Sequence, residues 1–391
     1  MPLRVLLVHS HGTDLTFGGA ERHVAQLADG LAARGVETRV LSAFPGQSTL
    51  PPERTRVLHA SDWRADRSRR LRNHVGDVLS RPSRELEEAV EWSGADVVHT
   101  NNLPGITTGI WEVCRRAGIA VVHTLHDYHL LCPRVTLLRP NGQACNPHPL
   151  LCGLRSRRMA RWAPAVSHVI GVSRFVLLAH AHLFPRAKLE LVHLPVDLYD
   201  ARLAPPRGRL ETLGFIGALE PIKGVDQLLL AVPALAELGC RVRVAGSGRL
   251  RSDVEAAARR YPSLEYEGVV TGSQKDAFLE SCDAGILPSV WNEPGGPPYA
   301  VLEWLTVGRP VLVSPRGGLG EAIGDGVAGL FRVEPTAEGI VAAVRTLTDD
   351  KELWADSVAL VRPPISSVDG LESWLDAHER IYRAAADRRA A

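Results

Sequence analysis

Lysine is scarce in this chain, with four residues against 41 arginines. A lysine placed in a turn is therefore not simply the default basic residue. Cysteine is sparse too, six residues spread over 391. That excludes the dense disulfide framework of a small secreted scaffold and makes a reducing cytoplasm the expected compartment. Excess charge of one sign is nearly absent: the formal net charge is +1, so no global field recruits nucleic acid. No apolar run is fit to span a bilayer. The longest, Val166 to Phe184, is broken by Ser167, His168, Arg174, His180 and His182, groups that a spanning helix tolerates poorly. The opening run, Pro2 to His9, is too short for a signal h-region and reads as a first buried strand. The glycine loop after the first strand, Phe17-Gly18-Gly19-Ala20-Glu21, is not a GxGxxG fingerprint, so a Rossmann dinucleotide site is not supported there.

What is present is an alternation. Short β-rich apolar runs trade places with amphipathic helical patterns, which predicts parallel sheets with helices on both faces. Ala20, Val24, Leu27, Ala28, Leu31 and Ala32 mark the first helix at helical spacing. A proline- and glycine-containing break at Pro195 to Gly208 has no hydrophobic period and suits a linker. The expected class is α/β: two doubly wound, Rossmann-like domains facing across a cleft. Residues 1–197 form the first domain, 198–210 the linker and 211–365 the second domain. A final helix, 366–391, has Leu371, Trp374, Leu375, Ile381 and Tyr382 as its apolar face.

The sharpest motif is Gly217-Ala218-Leu219-Glu220-Pro221-Ile222-Lys223-Gly224-Val225. It follows a short strand and opens a helix, where free backbone N–H groups favour a phosphate. Lys223 is either a surface lysine or a ligand contact. A cation alone at a helix N-terminus is disfavoured, which points to an anion beside it. Downstream, Trp291-Asn292-Glu293-Pro294-Gly295-Gly296-Pro297-Pro298 precedes a helix carrying Glu303. Glu303 either complements the helix dipole or accepts ribose hydroxyls. Gly18 and Gly19 form a plain turn or a loop lining the cleft. His126, in His123-Thr124-Leu125-His126-Asp127-Tyr128 at a strand end, is a structural histidine or one that bonds a hydroxyl or phosphate. Cys132, Cys145, His148 and Cys152 lack tight CxxC pairs. They leave open a zinc site, ordinary buried cysteines or a disulfide. The Arg155–Arg161 run with Trp162 is a solvated helix face, or a contact with a lipid surface or an anionic acceptor.

Together these residues resemble the retaining glycosyltransferases of family 4, of GT-B architecture and related to glycogen synthase. The likeness runs in order through Gly18-Gly19-Ala20-Glu21, His126-Asp127, Gly171-Val172-Ser173, Pro221-Ile222-Lys223-Gly224, Gly246-Ser247-Gly248, Pro288 to Glu303, and Gly317-Gly318 with Glu321. The resemblance implies transfer of a hexosyl unit from a nucleoside-diphosphate sugar to an acceptor hydroxyl, with retained configuration and no cofactor. It implies Lys223 on the donor diphosphate and Glu303 on the ribose. Gly18, Gly19, Gly217, Gly295, Gly296 and Pro297 would lie around the donor, and His126 and Glu293 beside the sugar. The acceptor would be a small molecule, a lipid-linked species or a glycan. The chain has no DxD triplet, which argues against the metal-dependent mechanism of the other large glycosyltransferase fold. The expected location is cytoplasmic, with contact at the inner membrane face left open.

Two departures stand out. The family has arginine where this chain has Ala218, and its two glutamates lie eight apart, whereas Glu293 and Glu303 lie ten apart. Arg249 and Arg316 are the candidate replacements. These departures motivate one rival, a non-catalytic sugar-nucleotide-binding partner subunit; a nucleotide-sugar epimerase, which uses the same two-domain layout, is a further alternative.

Overall fold

The computed structural model describes residues 2–13, 18–46, 48, 50–59, 74–139, 142–145, 149–195, 208–361 and 370–390. The chain divides into two compact units, Met1–His193 with Glu372–Ala391, and Leu194–Leu371. Residues 196–207, which include most of the expected linker 198–210, lie outside the described residues, as does the stretch 60–73.

The first unit runs β1 (Arg4–His9), α1 (Gly19–Ala33), β2 (Glu37–Ser42), β3 (Thr55–Val57), α2 (Arg84–Ser93), β4 (Val97–Thr100), α3 (Gly109–Arg116), β5 (Ala120–Leu125), α4 (Leu150–Met159), β6 (Val166–Gly171), α5 (Arg174–His180) and β7 (Lys188–Leu191). Its seven strands are all parallel, in the order β3-β2-β1-β4-β5-β6-β7. The strands at the centre are buried on both faces, so they read as continuous apolar runs rather than alternations. The edge strands β3 and β7 escape the hydrophobic pattern for the converse reason. They are short and half-exposed, so nothing forces an apolar run.

The second unit runs β8 (Thr212–Ile216), α6 (Val225–Glu237), β9 (Arg241–Ala245), α7 (Arg251–Arg260), β10 (Leu264–Tyr266), α8 (Gly272–Ser281), β11 (Ala284–Leu287), α9 (Tyr299–Thr306), β12 (Val311–Val313), α10 (Gly318–Gly324), β13 (Leu330–Arg332), α11 (Ala337–Asp349) and α12 (Lys351–Leu360). Its six parallel strands follow the order β10-β9-β8-β11-β12-β13. Leu213, Phe215, Val242, Val244, Ile286 and Leu312 fill its core. Burying one such side chain stabilises by roughly 1.5–3 kcal/mol.

Two contacts place the elements that matter below. Side-chain carbons added at Gly214 in β8 and Gly285 in β11 would lie 2.4 and 2.6 Å from the indole of Trp304. Both glycines are needed to seat that ring, and the ring fixes α9, which carries Glu303. The last helix, α13 (Leu371–Ala390), begins at Leu371, the first residue of the expected apolar face, and residues 366–369 of the expected span lie outside the described residues. Trp374, Leu375, Ile381 and Tyr382 are buried against the first unit, and Leu371 is half-exposed. A carbon added at Gly30 of α1 would lie 2.7 Å from Leu375, so that glycine permits the close approach. Arg34 clamps the pair of helices. It donates to Glu372, to Asp376 at 2.7 Å and to Glu379 at 3.2 Å.

Candidate active site

In each sheet the strand order reverses once, between β1 and β4 and between β8 and β11. At such a reversal the loops leaving the two strands diverge and open a crevice at their carboxyl ends. His126 with Asn101 lies at the first of these places, and Lys223 with Glu293 at the second.

In the first unit, Asn101 follows β4 and its amide nitrogen donates to the carbonyl of Val8 in β1, at 3.3 Å. That bond sets which way the amide points. Its oxygen then faces Nε2 of His126 at 2.9 Å, so this nitrogen carries the proton and donates it. Nδ1 of His126 is left as an acceptor. Burial holds His126 neutral, lowering its pKa to about 3, with His378 adding to the effect.

Around it lies a group of imidazoles that the sequence reading did not assemble. The His23 ring meets His126 edge-on at 4.6 Å, Trp374 at 5.0 Å and His378 at 5.6 Å. His99 is bonded to the Tyr382 hydroxyl at 2.6 Å and to Thr124 at 2.7 Å. His23 and His99 are held neutral by burial first and by their neighbours second. Asp127 accepts the His129 N–H at 2.7 Å, and burial raises its carboxyl to about 6. Gly18 and Gly19 are exposed at the start of α1. Two residues on, Glu21 is buried, 3.9 Å from Nε2 of His9.

In the second unit, Lys223 leaves β8 in a 3-10 turn, Pro221–Lys223, ahead of α6. Gly224 follows with φ of 73°, and a carbon added there would sit 2.0 Å from the carbonyl oxygen of Pro288. Only glycine allows this turn to press against the loop leaving β11. Val290 donates to the carbonyl of Ile222 at 3.0 Å and sews the two loops together. Lys223 therefore reaches Glu293, donating to its two oxygens at 2.7 and 2.9 Å. Ser289 donates to the same carboxylate, which is 2% exposed. Trp291 lies under the ammonium, its ring centroid 5.3 Å away. The pair spans the strand reversal.

Glu293 thus supplies the anion that the lysine's position called for. Lys223 uses two N–H groups on Glu293, and an ammonium has three. Gly295, Gly296 and Pro297 are buried. A carbon added at Gly296 would lie 2.6 Å from the carbonyl oxygen of Gly318, and the main-chain carbonyl of Glu293 accepts the Gly318 N–H at 2.7 Å, so this loop interlocks with Gly317-Gly318. Gly217 donates to Ala245 at 3.1 Å.

Glu303 does not join that pair. It sits beyond the first turn of α9, where the dipole has faded, so complementing the dipole is not its role. Lys275 of α8 donates to it at 2.7 Å. Two of the chain's four lysines therefore hold the two glutamates. Lysine scarcity was the signal that could have found Lys275.

Of the replacement arginines, Arg249 is committed to Glu220 by bonds of 2.6 and 3.1 Å. Arg316 donates to the carbonyl of Val290 at 3.0 Å. Cys132, Cys145 and Cys152 are free thiols, which corrects the disulfide reading, and His148 lies outside the described residues. Among the described residues, no group of three or more histidine, cysteine or carboxylate side chains is placed to hold a metal. Nor is any helix among them long and apolar enough to cross a membrane.

Comparison with known proteins agrees with this layout. Residues 17–199 match the family model "Glycosyltransferase Family 4", and residues 211–350 match "Glycosyl transferases group 1". A glycogen synthase of Mycobacterium tuberculosis is 31% identical, with the alignment covering 98% of this chain and 95% of that one. Among solved structures, sucrose-phosphate synthase from Thermosynechococcus elongatus superposes with a TM-score of 0.72 at 16% identity, covering 98% of both chains. Anabaena HepE, solved with UDP and glucose, gives 0.70 at 15% identity, covering 97% of this chain and 99% of that one.

Proposed function

The chain belongs to the group 1 and family 4 glycosyltransferases and is a sugar-transferring enzyme; from that premise we propose that it moves a hexosyl unit from a nucleoside-diphosphate sugar to an acceptor hydroxyl, with configuration retained and without a metal. The observation that carries this reading is the Lys223–Glu293 pair across the strand reversal of the second sheet. A diphosphate at that edge meets the third N–H of Lys223. Negative charge grows on the leaving diphosphate as the glycosidic bond breaks. A fixed ammonium in a sheltered site stabilises that charge by roughly 2–4 kcal/mol. The HepE structure, solved with UDP and glucose, supports a uridine donor.

Glu303, oriented by Lys275, is suited to accept the ribose hydroxyls. His126 presents a neutral Nδ1, which suits a sugar hydroxyl as donor rather than a phosphate. Glu293 orients Lys223, and a sugar hydroxyl beside the diphosphate would be its partner in the reaction. The acceptor is a small molecule, a lipid-linked species or a glycan.

The test is a panel of UDP-, GDP- and ADP-sugars, followed by calorimetry for binding and by product analysis for transfer. Lys223→Ala is expected to cut turnover at least about tenfold, as lost charge stabilisation requires, and added EDTA is expected to leave the rate unchanged. Wild-type rates in Lys223→Ala would remove the phosphate role. Binding without any transfer would favour the partner-subunit reading.

A further inference from the structure

Between Asp127 and Glu190 the chain carries no aspartate or glutamate in 62 residues, yet it carries nine arginines and lysines. The local charge is +9 in a chain whose total is +1. Helix α4 lies in this stretch, and it is bolted to the first unit by one face. Arg155 is buried and donates to the carbonyl of His129 at 2.9 Å. The carbonyl of Met159 accepts from Thr108 at 2.6 Å. Just beyond the helix, Arg161 and Trp162 both donate to the carbonyl of Ser80.

The opposite face points to water. Leu150, Leu151 and Leu154 are 80, 79 and 52% exposed, and Arg157 and Arg158 are exposed one turn beyond Leu154. Positions 150, 151, 154, 157 and 158 follow helical spacing, so all five share one stripe. No carboxylate pairs with Arg157 or Arg158 among the described residues. The arginine run thus splits: Arg155 and Arg161 hold the helix down, while Arg157 and Arg158 face out.

We propose that this stripe of α4 docks the protein on an anionic lipid surface. Three neighbouring leucines facing water are unfavourable unless covered. A nucleic acid offers them nothing apolar. An anionic bilayer offers both halves of the match, acyl chains for the leucines and phosphates for the arginines. The stretch itself contributes no carboxylate, and the acids that act on its arginines, Asp77 on Arg155 and Glu112 on Arg161, do so at the residues that hold the helix down. Because α4 is held rigidly on its inner face, docking requires no folding step. The proposal goes beyond the transfer reaction and does not depend on which donor is used.

Vesicle flotation with the full chain tests it. Vesicles of phosphatidylcholine with one quarter phosphatidylglycerol are expected to retain the protein at least about tenfold better than phosphatidylcholine alone, and salt on the order of 0.5 M should abolish the difference. Arg157→Ala with Arg158→Ala should weaken retention roughly 25-fold, about fivefold for each charge. Leu150→Ser, Leu151→Ser and Leu154→Ser together should weaken it at least about tenfold. The replaced side chains are exposed, so both variants should melt like the wild type. No retention on the anionic vesicles would overturn the proposal, as would equal retention of the variants. So would light scattering that shows a dimer abolished by the leucine variant, because the stripe would then be covered by a second copy of the chain.

Discussion

The two units share one topology but line their strand reversals with opposite chemistry. The first uses uncharged rings: His23, His99, His126 and His378 are all held neutral by burial. The second uses full charges in pairs, Lys223 with Glu293 and Lys275 with Glu303. A neutral imidazole can exchange hydrogen bonds with sugar hydroxyls and does not compete for phosphate. An ammonium held by a carboxylate is suited to a diphosphate. The fold thus supplies the position and the side chains supply the specificity.

Acid should break the comparison most severely. Nine histidines of the first unit have lowered pKa values: His9, His23 and His99 well below the usual range, His123, His126 and His129 at about 3, His180 and His378 at about 4, and His74 lowered by burial. The unfolded chain takes up these protons near pH 6.5 and the folded unit refuses them. Stability is therefore full above 6.5 and falls as pH drops toward 4. Asp77, raised to about 7, Asp127, raised to about 6, and Asp29, raised by burial, act in the opposite sense, because the folded unit keeps their protons. Three carboxyls do not offset nine imidazoles. Each unit of pKa depression is worth about 1.4 kcal/mol, and a whole domain is stable by about 5–15 kcal/mol. The first unit is expected to unfold by about pH 4. In the second unit the shifted groups are cysteines and arginines, which do not titrate in that range. Hydrogen exchange followed from pH 7 to 4 checks this; equal loss of protection in both units would contradict it.

The charged pair sharpens the comparison. Lys223→Met leaves Glu293 buried with Ser289 and no cation. The cost to the second unit should be about 2 kcal/mol, below the usual figure for a buried pair because Lys223 is partly exposed. Adding Glu293→Gln should restore most of it. Denaturant titration of both variants measures the difference, and a double variant no more stable than the single one would show that the pair does not act as a unit.

The smallest effect concerns Asn101. Asn101→Ala frees the His126 ring and is expected to slow turnover about fivefold, the worth of one hydrogen bond of about 1 kcal/mol. Asn101→Asp should also bring an acidic-range dependence into the rate profile, since a carboxylate favours the protonated ring. A flat profile and an unchanged rate would remove Asn101 from the site.

Legibility followed burial. The inner strands could be read because residues such as Leu6, Leu7, Val8, Val97 and Val98 are all buried. The helix starting at Gly19 could be read from its period. Strand β13 went unread because its three residues are half-buried or exposed. At the site, Lys223, Glu293, Glu303 and His126 stood out by motif. Their partners did not: Lys275 is 28 residues from Glu303 and Asn101 is 25 from His126, and neither spacing leaves a local mark.

The chain's own order of residues settled the two parallel sheets, the glycine at the Lys223 turn and the scarcity of lysine that made that turn stand out, because these follow from periodicity and backbone geometry over a few neighbours. Only the tertiary structure decided which carboxylate each lysine meets, which nitrogen of His126 holds its proton, and which arginines of the 155–161 run face water. Those outcomes depend on side chains brought together by packing across tens of residues, and burial then sets their charge.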